Sequence, residues 1–134
     1  MKTVTLAYRP VNQDSSMPFV RLRMIGLGES IEVWALVDSG AAVNVLPFRV
    51  GQALGLRWDD FESGPELGGG VAGETKSLWL TASVPTMAPI QLKFCWLSND
   101  NARVILGHDN FFDHFTVCFL TKDFKFSLFQ ESIP

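Results

Sequence analysis

Apolar and polar residues alternate along most of this chain with the two-residue period of strands that bury one face. Val20, Leu22 and Met24 alternate with Arg21 and Arg23, the segment from Gly26 to Ser30 interrupts, and Ile31-Glu32-Val33-Trp34-Ala35-Leu36-Val37 follows. That pattern predicts a β-hairpin leading into Asp38. A short apolar stretch runs to Leu46. Pro47 then suits the first position of a helix, with Val50, Ala53 and Leu54 spaced for one buried face and Gly55 placed for the C-terminal cap. From Asp59 to Gly73 the chain is rich in glycine and acidic residues and shows no period. Leu78, Leu80, Ala82 and Val84 resume strand alternation, Pro85 and Pro89 bracket a turn, and Ile90, Leu92, Phe94 and Trp96 mark the next strand. Val104-Ile105-Leu106 reads as a short buried strand closed by Gly107, and Asp109 to His114 as a helical turn holding Phe111 and Phe112. Phe115 to Leu120 and Phe124 to Phe129 flank Thr121-Lys122-Asp123, a spacing that suits a closing hairpin. Many short strands with one or two short helices predict an all-β chain built as a small closed β-barrel.

The 134 residues, 47% hydrophobic and 19% charged, suffice for a single domain over 1–134 and leave no room for a second. The net charge of −3 and the scattered placement of 11 lysines and arginines give no basic stripe. Nucleic acid is therefore not expected as a partner. No apolar run has the length of a signal peptide or a membrane span, so no membrane association is expected and the chain is read as cytoplasmic. Cys95 and Cys118 lack a CxxC partner or a histidine at ligand spacing, so neither a metal nor a cofactor is expected. Both lie in apolar strand-like runs and read as buried or half-buried thiols, with a disulfide as the lesser option. Most phenylalanines fall at core spacing, whereas Trp34, Trp58, Trp79 and Trp96 have no assignable place.

The sharpest local feature is the apolar run Ala35-Leu36-Val37 ending at once in Asp38-Ser39-Gly40-Ala41-Ala42. A carboxylate at the end of a buried strand is costly unless it is hydrogen-bonded or put to use. An ordinary Asx turn would account for the loop taken alone. A second apolar run ending in glycine, Val104-Ile105-Leu106-Gly107, and the cluster Gly68-Gly69-Gly70-Val71-Ala72-Gly73 between the two extend the pattern. Ser39 has no G-x-S-x-G elbow around it, and neither His108 nor His114 is tied to it, which argues against a serine hydrolase. Gly73-Glu74-Thr75 leads into a strand where a phosphate loop needs Gly-Lys-Ser/Thr opening a helix.

Taken in order, these three elements resemble the retropepsin-like aspartic proteases. Ala35 to Ala41 is similar to the active-site loop of that family, Ile105-Leu106-Gly107 to the element packed beneath it, and the glycine cluster to its flap. The resemblance spans Val20 to Phe129. It implies that Asp38 is the catalytic carboxylate and that Ser39, Gly40 and Ala41 support the loop, with Ser39 reaching across a dimer axis. It also implies that Ala42, Gly69, Gly70, Val71, Ala72 and Gly73 contact substrate. Peptide hydrolysis of this kind uses two carboxylates sharing a proton. The chain holds one Asp-Ser-Gly and no duplicate, so a homodimer acting on a peptide or protein substrate is implied. Two positions depart from the retroviral pattern. Ala42 and His108 stand where an acidic residue and an arginine usually pair, which points to non-viral relatives. Two functions follow as alternatives: an active endopeptidase, or a catalytically silent module that keeps the fold to bind peptide or dimerise. How the terminal strands pair stays open between a dimer sheet and closure of the barrel.

Overall fold

The computed structural model describes residues 1–131; positions 132–134 of the expected domain lie outside the described residues. The strands are β1 (Lys2–Ala7), β2 (Arg9–Pro10), β3 (Ser16–Met17), β4 (Phe19–Ile25), β5 (Ser30–Val37), β6 (Asn44–Leu46), β7 (Thr75–Ser83), β8 (Ile90–Leu97), β9 (Ile105–Leu106), β10 (Thr116–Leu120) and β11 (Lys125–Gln130). Two short helices, α1 (Phe48–Ala53) and α2 (Phe111–His114), interrupt them. Six strands close into a barrel in the order β4-β5-β9-β6-β8-β7. The all-β barrel with short helices read from the alternation is the observed architecture.

Alternation sets the inside and outside of the wall. Val20, Leu22 and Met24 on β4 are fully buried while Arg21 and Arg23 between them face out. On the long antiparallel β7–β8 pair, Leu78 opposite Phe94 and Leu80 opposite Leu92 fill the same core. Two parallel pairings do something alternation cannot foretell. β5 runs alongside β9 through Leu36↔Ile105 and Val37↔Leu106, and β6 alongside β8 through Asn44↔Phe94 to Leu46↔Trp96. These pairings bring the end of β5 and the end of β9 to one place.

Some local expectations need correction. Pro47 is the N-cap of α1, at φ −69 and ψ 157, one position before the helix rather than its first residue. Val50 and Leu54 are buried as expected, but Ala53 is exposed and its place on the inner face is taken by Gly51. A β-carbon on Gly51 would sit in the indole of Trp96, which explains why this helix tolerates a glycine. Trp96 itself is fully buried, stacked on Phe48 at 5.6 Å, and donates its indole N–H to the Phe48 carbonyl at 3.2 Å. Trp58 packs at its edge, while Trp34 and Trp79 stand exposed on the outer wall, Trp34 beneath the Arg9 guanidinium at 3.6 Å.

A strand the sequence reading passed over completes the fold. β1 pairs with β11 over its full length, from Lys2↔Gln130 to Ala7↔Lys125, and β10 pairs with the other edge of β11. The resulting sheet, β1-β11-β10, lays Val4, Leu6, Val117, Phe119, Phe126 and Leu128 on the core. The closing hairpin is present, turning through Thr121–Asp123 with Phe124 in left-handed backbone at φ 54. Cys95 is buried, and burial is the main cause raising its thiol pKa. Cys118, read as buried or half-buried, is instead exposed, because it falls on the outward face of β10. Neither cysteine is in a disulfide. Among the described residues no helix is long and apolar enough to cross a membrane.

Candidate active site

Asp38 is the first residue past β5, where three buried residues, Ala35, Leu36 and Val37, give way to a half-buried carboxylate. Its backbone is held from beneath. Leu36 N–H donates to Val104 O at 2.9 Å, Val37 N–H to Pro18 O at 2.9 Å, and Asp38 N–H to Leu106 O at 2.9 Å. The side chain is oriented by its own loop, since Gly40 N–H donates to Asp38 Oδ1 at 2.8 Å and Ala41 N–H to Asp38 O at 3.1 Å. The carboxylate oxygen bonded to a backbone N–H is thereby fixed in direction, and among the described residues Oδ2 has no protein hydrogen-bond partner.

Gly107 lies under this loop. Any β-carbon there would collide with the carbonyl oxygens of Ala41 and Val43, so only glycine lets the end of β9 approach the loop this closely. Beyond it, His108 N–H donates to Ala41 O at 3.0 Å and Asp109 N–H to Ala42 O at 2.8 Å. The two motifs separated by more than sixty positions are thus laced into one unit.

Two asparagines escaped the sequence reading. Asn44 is fully buried: its Oδ1 accepts from Gly107 N–H at 2.8 Å, and its Nδ2 donates to Lys93 O at 2.9 Å and to Asn110 Oδ1 at 3.2 Å. Asn110, also buried, accepts from Lys93 N–H at 3.0 Å and donates to Gln91 O at 3.1 Å. This network ties the glycine beneath the Asp38 loop to β8. An amide can serve a donor and an acceptor at once, which neither Ala nor Leu could do here. The signal available in sequence was a polar Asn44 between Val43 and Val45, where a strand of buried residues would otherwise be apolar throughout.

His108 fills the position where the resemblance leads one to expect arginine. Its Nε2 lies 2.6 Å from the Ser39 carbonyl, an acceptor, so Nε2 carries the proton and donates. The ring stacks on Phe112 at 4.8 Å with planes 22° apart. The imidazole thus ties the Asp38 loop to the segment after β9, and Ala42 carries no charge that needs a partner. His108→Ala should lower stability by about 1 kcal/mol in urea unfolding, because the Ser39 carbonyl loses its donor. His108→Gln, which keeps a donor, should recover most of it; equal unfolding midpoints for all three proteins would contradict this role.

Asp38 opens on two hollows. One, of about 470 Å³, is lined by Asp38, Gly40, Ala41, Ala42, Gly69, Val71 and Ile105, together with Val43, Val45, Pro65, Glu66, Leu67 and Gly68. The glycine cluster, expected as a flap, thus faces Asp38 through Gly68, Gly69 and Val71. Gly70 is exposed at φ +83 and lines neither this hollow nor its neighbour. Ala72 and Gly73 line that adjoining hollow with Ser63 to Leu67 and Glu74. Pro65, Glu66 and Leu67 were not anticipated, since an aperiodic acidic stretch gives no hint of which residues turn inward. The second hollow at Asp38, of about 370 Å³, runs past Ser39, Leu36 and Tyr8 to Phe119 and Thr121 of the terminal sheet. A larger recess between α2 and the end of β11 is lined by neither Asp38 nor the glycine cluster. Among the described residues no group of three or more histidines, cysteines or acids could hold a metal ion.

This fold is that of the retropepsin-like aspartic proteases. The chain is similar to a retropepsin-like aspartic protease from Rickettsia conorii at TM-score 0.67 and 16% identity, covering 95% of this chain and 89% of that one. It is similar also to the retroviral protease-like domain of Ddi1 from Leishmania major, at TM-score 0.55 and 20% identity over 75% and 79% of the two chains. A viral example, EIAV protease in complex with an inhibitor, aligns at TM-score 0.51 and 20% identity over 78% and 93%. No protein-family model and no curated protein matches the sequence.

Proposed function

We propose that the chain is one subunit of a non-viral retropepsin-like aspartic endopeptidase, with Asp38 as its catalytic carboxylate. The observation that carries this reading is the placement of Asp38 at the meeting of the two hollows, its backbone fixed by Leu106 and its side chain by Gly40. One carboxylate cannot perform the reaction alone. With two held about 3 Å apart, one proton is shared, so one group is ionised and its neighbour protonated. The ionised group takes a proton from water as the oxygen attacks the scissile carbonyl, while the protonated one donates to the carbonyl oxygen. Collapse of the tetrahedral species breaks the C–N bond, and the amine leaves with a proton returned by the pair.

A homodimer supplies the second Asp38. Ala41, Ala42, Val43, Val45, Val71 and Ile105 make the hollow beneath the glycine segment largely apolar, which supports a substrate bound in extended form with apolar side chains beside the scissile bond. Gly68 to Gly73, with Gly69, Gly70 and Gly73 at positive φ, has the backbone freedom for a flap that closes over substrate. The departures at Ala42 and His108, which would favour a silent binding module, lose much of their weight because His108 itself braces the loop.

The test is cleavage of an unfolded protein by the purified chain over a dilution series. Activity per subunit should fall as the chain is diluted through its dimer dissociation constant. Constant activity per subunit down to a demonstrated monomer would overturn the two-carboxylate reading.

A further inference from the structure

Between residues 59 and 75 fall five acidic residues, Asp59, Asp60, Glu62, Glu66 and Glu74, and no lysine or arginine. Three of these acids line neither the hollows at Asp38 nor the adjoining one: Asp59 and Asp60 sit in a single 3₁₀ turn, Trp58–Asp60, and Glu62 accepts Ser77 N–H of β7 through its backbone at 3.0 Å. The other two face the hollows. Glu66 lines both the hollow beneath the glycine segment and its neighbour of about 670 Å³, and Glu74 lines the neighbour. Pro65, Leu67 and Val71 are also common to both walls, so the two hollows adjoin as one cleft that begins at Asp38 and continues past Glu66.

Charge along this cleft has one sign. Asp38, Glu66 and Glu74 are its carboxylates, and among the described residues no lysine, arginine or histidine lines either part of it or the second hollow at Asp38. The ion pairs among the described residues join Arg21 to Glu32, Arg49 to Asp100 and Lys93 to Asp109, so none takes up Glu66 or Glu74. The backbone beside both acids is pinned. Gly64 N–H donates to Thr75 O at 2.9 Å, and the hydroxyl of the buried Thr75 donates to Pro65 O at 2.7 Å, which fixes the chain immediately before Glu66. Glu74 O accepts from Ser98 N–H at 2.9 Å, and Asn99 Nδ2 donates to Ala72 O at 2.8 Å. Two carboxylates are thus carried on held backbone in the wall of the cleft, with no cation of the chain to answer them.

We infer that Glu66 and Glu74 select a basic residue in the substrate: the chain prefers peptides that pair an apolar side chain beside the scissile bond with a lysine or arginine a few residues away. The inference rests on the protease reading for its choice of ligand. Val43, Val45, Leu67, Val71 and Ile105 surround the apolar side chain next to Asp38. The aliphatic stem of a lysine or arginine can follow Leu67 and Val71 into the adjoining hollow while its charged head meets the carboxylates. An acidic residue in the same place would face two like charges, so repulsion contributes to the selection as well as attraction. Because Ala42 carries no charge, recognition of the basic residue falls to the glycine-segment side of the cleft. Glu66 and Glu74 are exposed, so each pairing contributes modestly and is screened by salt.

Binding and cleavage test this separately. Three peptides that share one apolar core and carry Lys, Gln or Glu two residues from it, on either side in turn, are titrated by fluorescence anisotropy against the Asp38→Asn chain, which keeps the cleft. The Lys peptide should bind about fivefold more tightly than the Gln peptide, with the Glu peptide weakest, and the spread should shrink below about twofold in about 1 M salt. Wild type should cleave a mixture of the three in the same order. Glu66→Gln should remove most of the preference and Glu66→Lys should reverse it, with the melting temperature unchanged because the side chain is exposed. Asp59→Lys makes the same change of charge outside the cleft and should leave the preference within about twofold of its starting value. Equal binding of the three peptides, no binding of any, or a preference that survives Glu66→Lys or is lost with Asp59→Lys would overturn the proposal. A Lys preference that obeys Glu66 in a wild-type chain that cleaves none of the peptides would support the acidic subsite and remove the protease reading; cleavage indifferent to the charged position would do the reverse.

Discussion

Asp38→Asn should abolish cleavage of an unfolded protein, lowering kcat at least about a thousandfold, within the range that general acid–base groups contribute. The substitution is isosteric and keeps an oxygen to accept from Gly40 N–H, so the loop has no reason to move. What disappears is the ability to hold or share a proton, and in a homodimer it disappears from both halves of the pair at once. Thermal unfolding should stay within about 1 kcal/mol of wild type, as expected for a half-buried side chain that anchors no core. Undiminished cleavage by a folded Asp38→Asn protein would end the aspartic-protease reading and leave only the fold.

Asn44→Ala should show the opposite dissociation, a large loss of stability from a residue that touches no substrate. Removing the amide strips Gly107 N–H of its acceptor at 2.8 Å in a buried setting and Lys93 O of its donor at 2.9 Å in a part-buried one. Each buried group left unpaired costs about 1–3 kcal/mol, so a loss of about 3 kcal/mol is expected in urea unfolding. Activity should fall only as the folded fraction and the position of Gly107 are lost. A change under about 0.5 kcal/mol would mean that water or relaxation replaces the amide at no cost, and that the network does not hold the loop to β8.

The contrast explains what was legible in the sequence. Strand alternation exposed the barrel wall, because β4, β7 and β8 bury one face and the two-residue period survives intact. The loop at Asp38 and the glycine at position 107 were visible as apolar runs broken at a fixed point. Parallel pairing of β5 with β9 was not, since register between distant segments leaves no local trace. β1 left a weaker trace for a different reason: Val4 and Leu6, which alternate with Thr3 and Thr5, are only half buried. Cys118 was misplaced because apolar neighbours made β10 look buried on both faces, when its outward face lies open. Asn44 and His108 carry roles that depend on which carbonyl or N–H they meet, Gly107 in one case and Ser39 in the other, and only tertiary structure shows the partner.

The active species is expected to take one Asp38 from each of two chains. Mixing tests it most directly: a fixed amount of wild type is equilibrated with increasing Asp38→Asn chain and its cleavage rate is followed. At nine parts variant to one part wild type, only about one wild-type chain in ten would find a wild-type partner, so activity should drop to about a tenth. A rate unchanged by the excess variant, with exchange of subunits verified, would contradict it and place a complete site within a single chain.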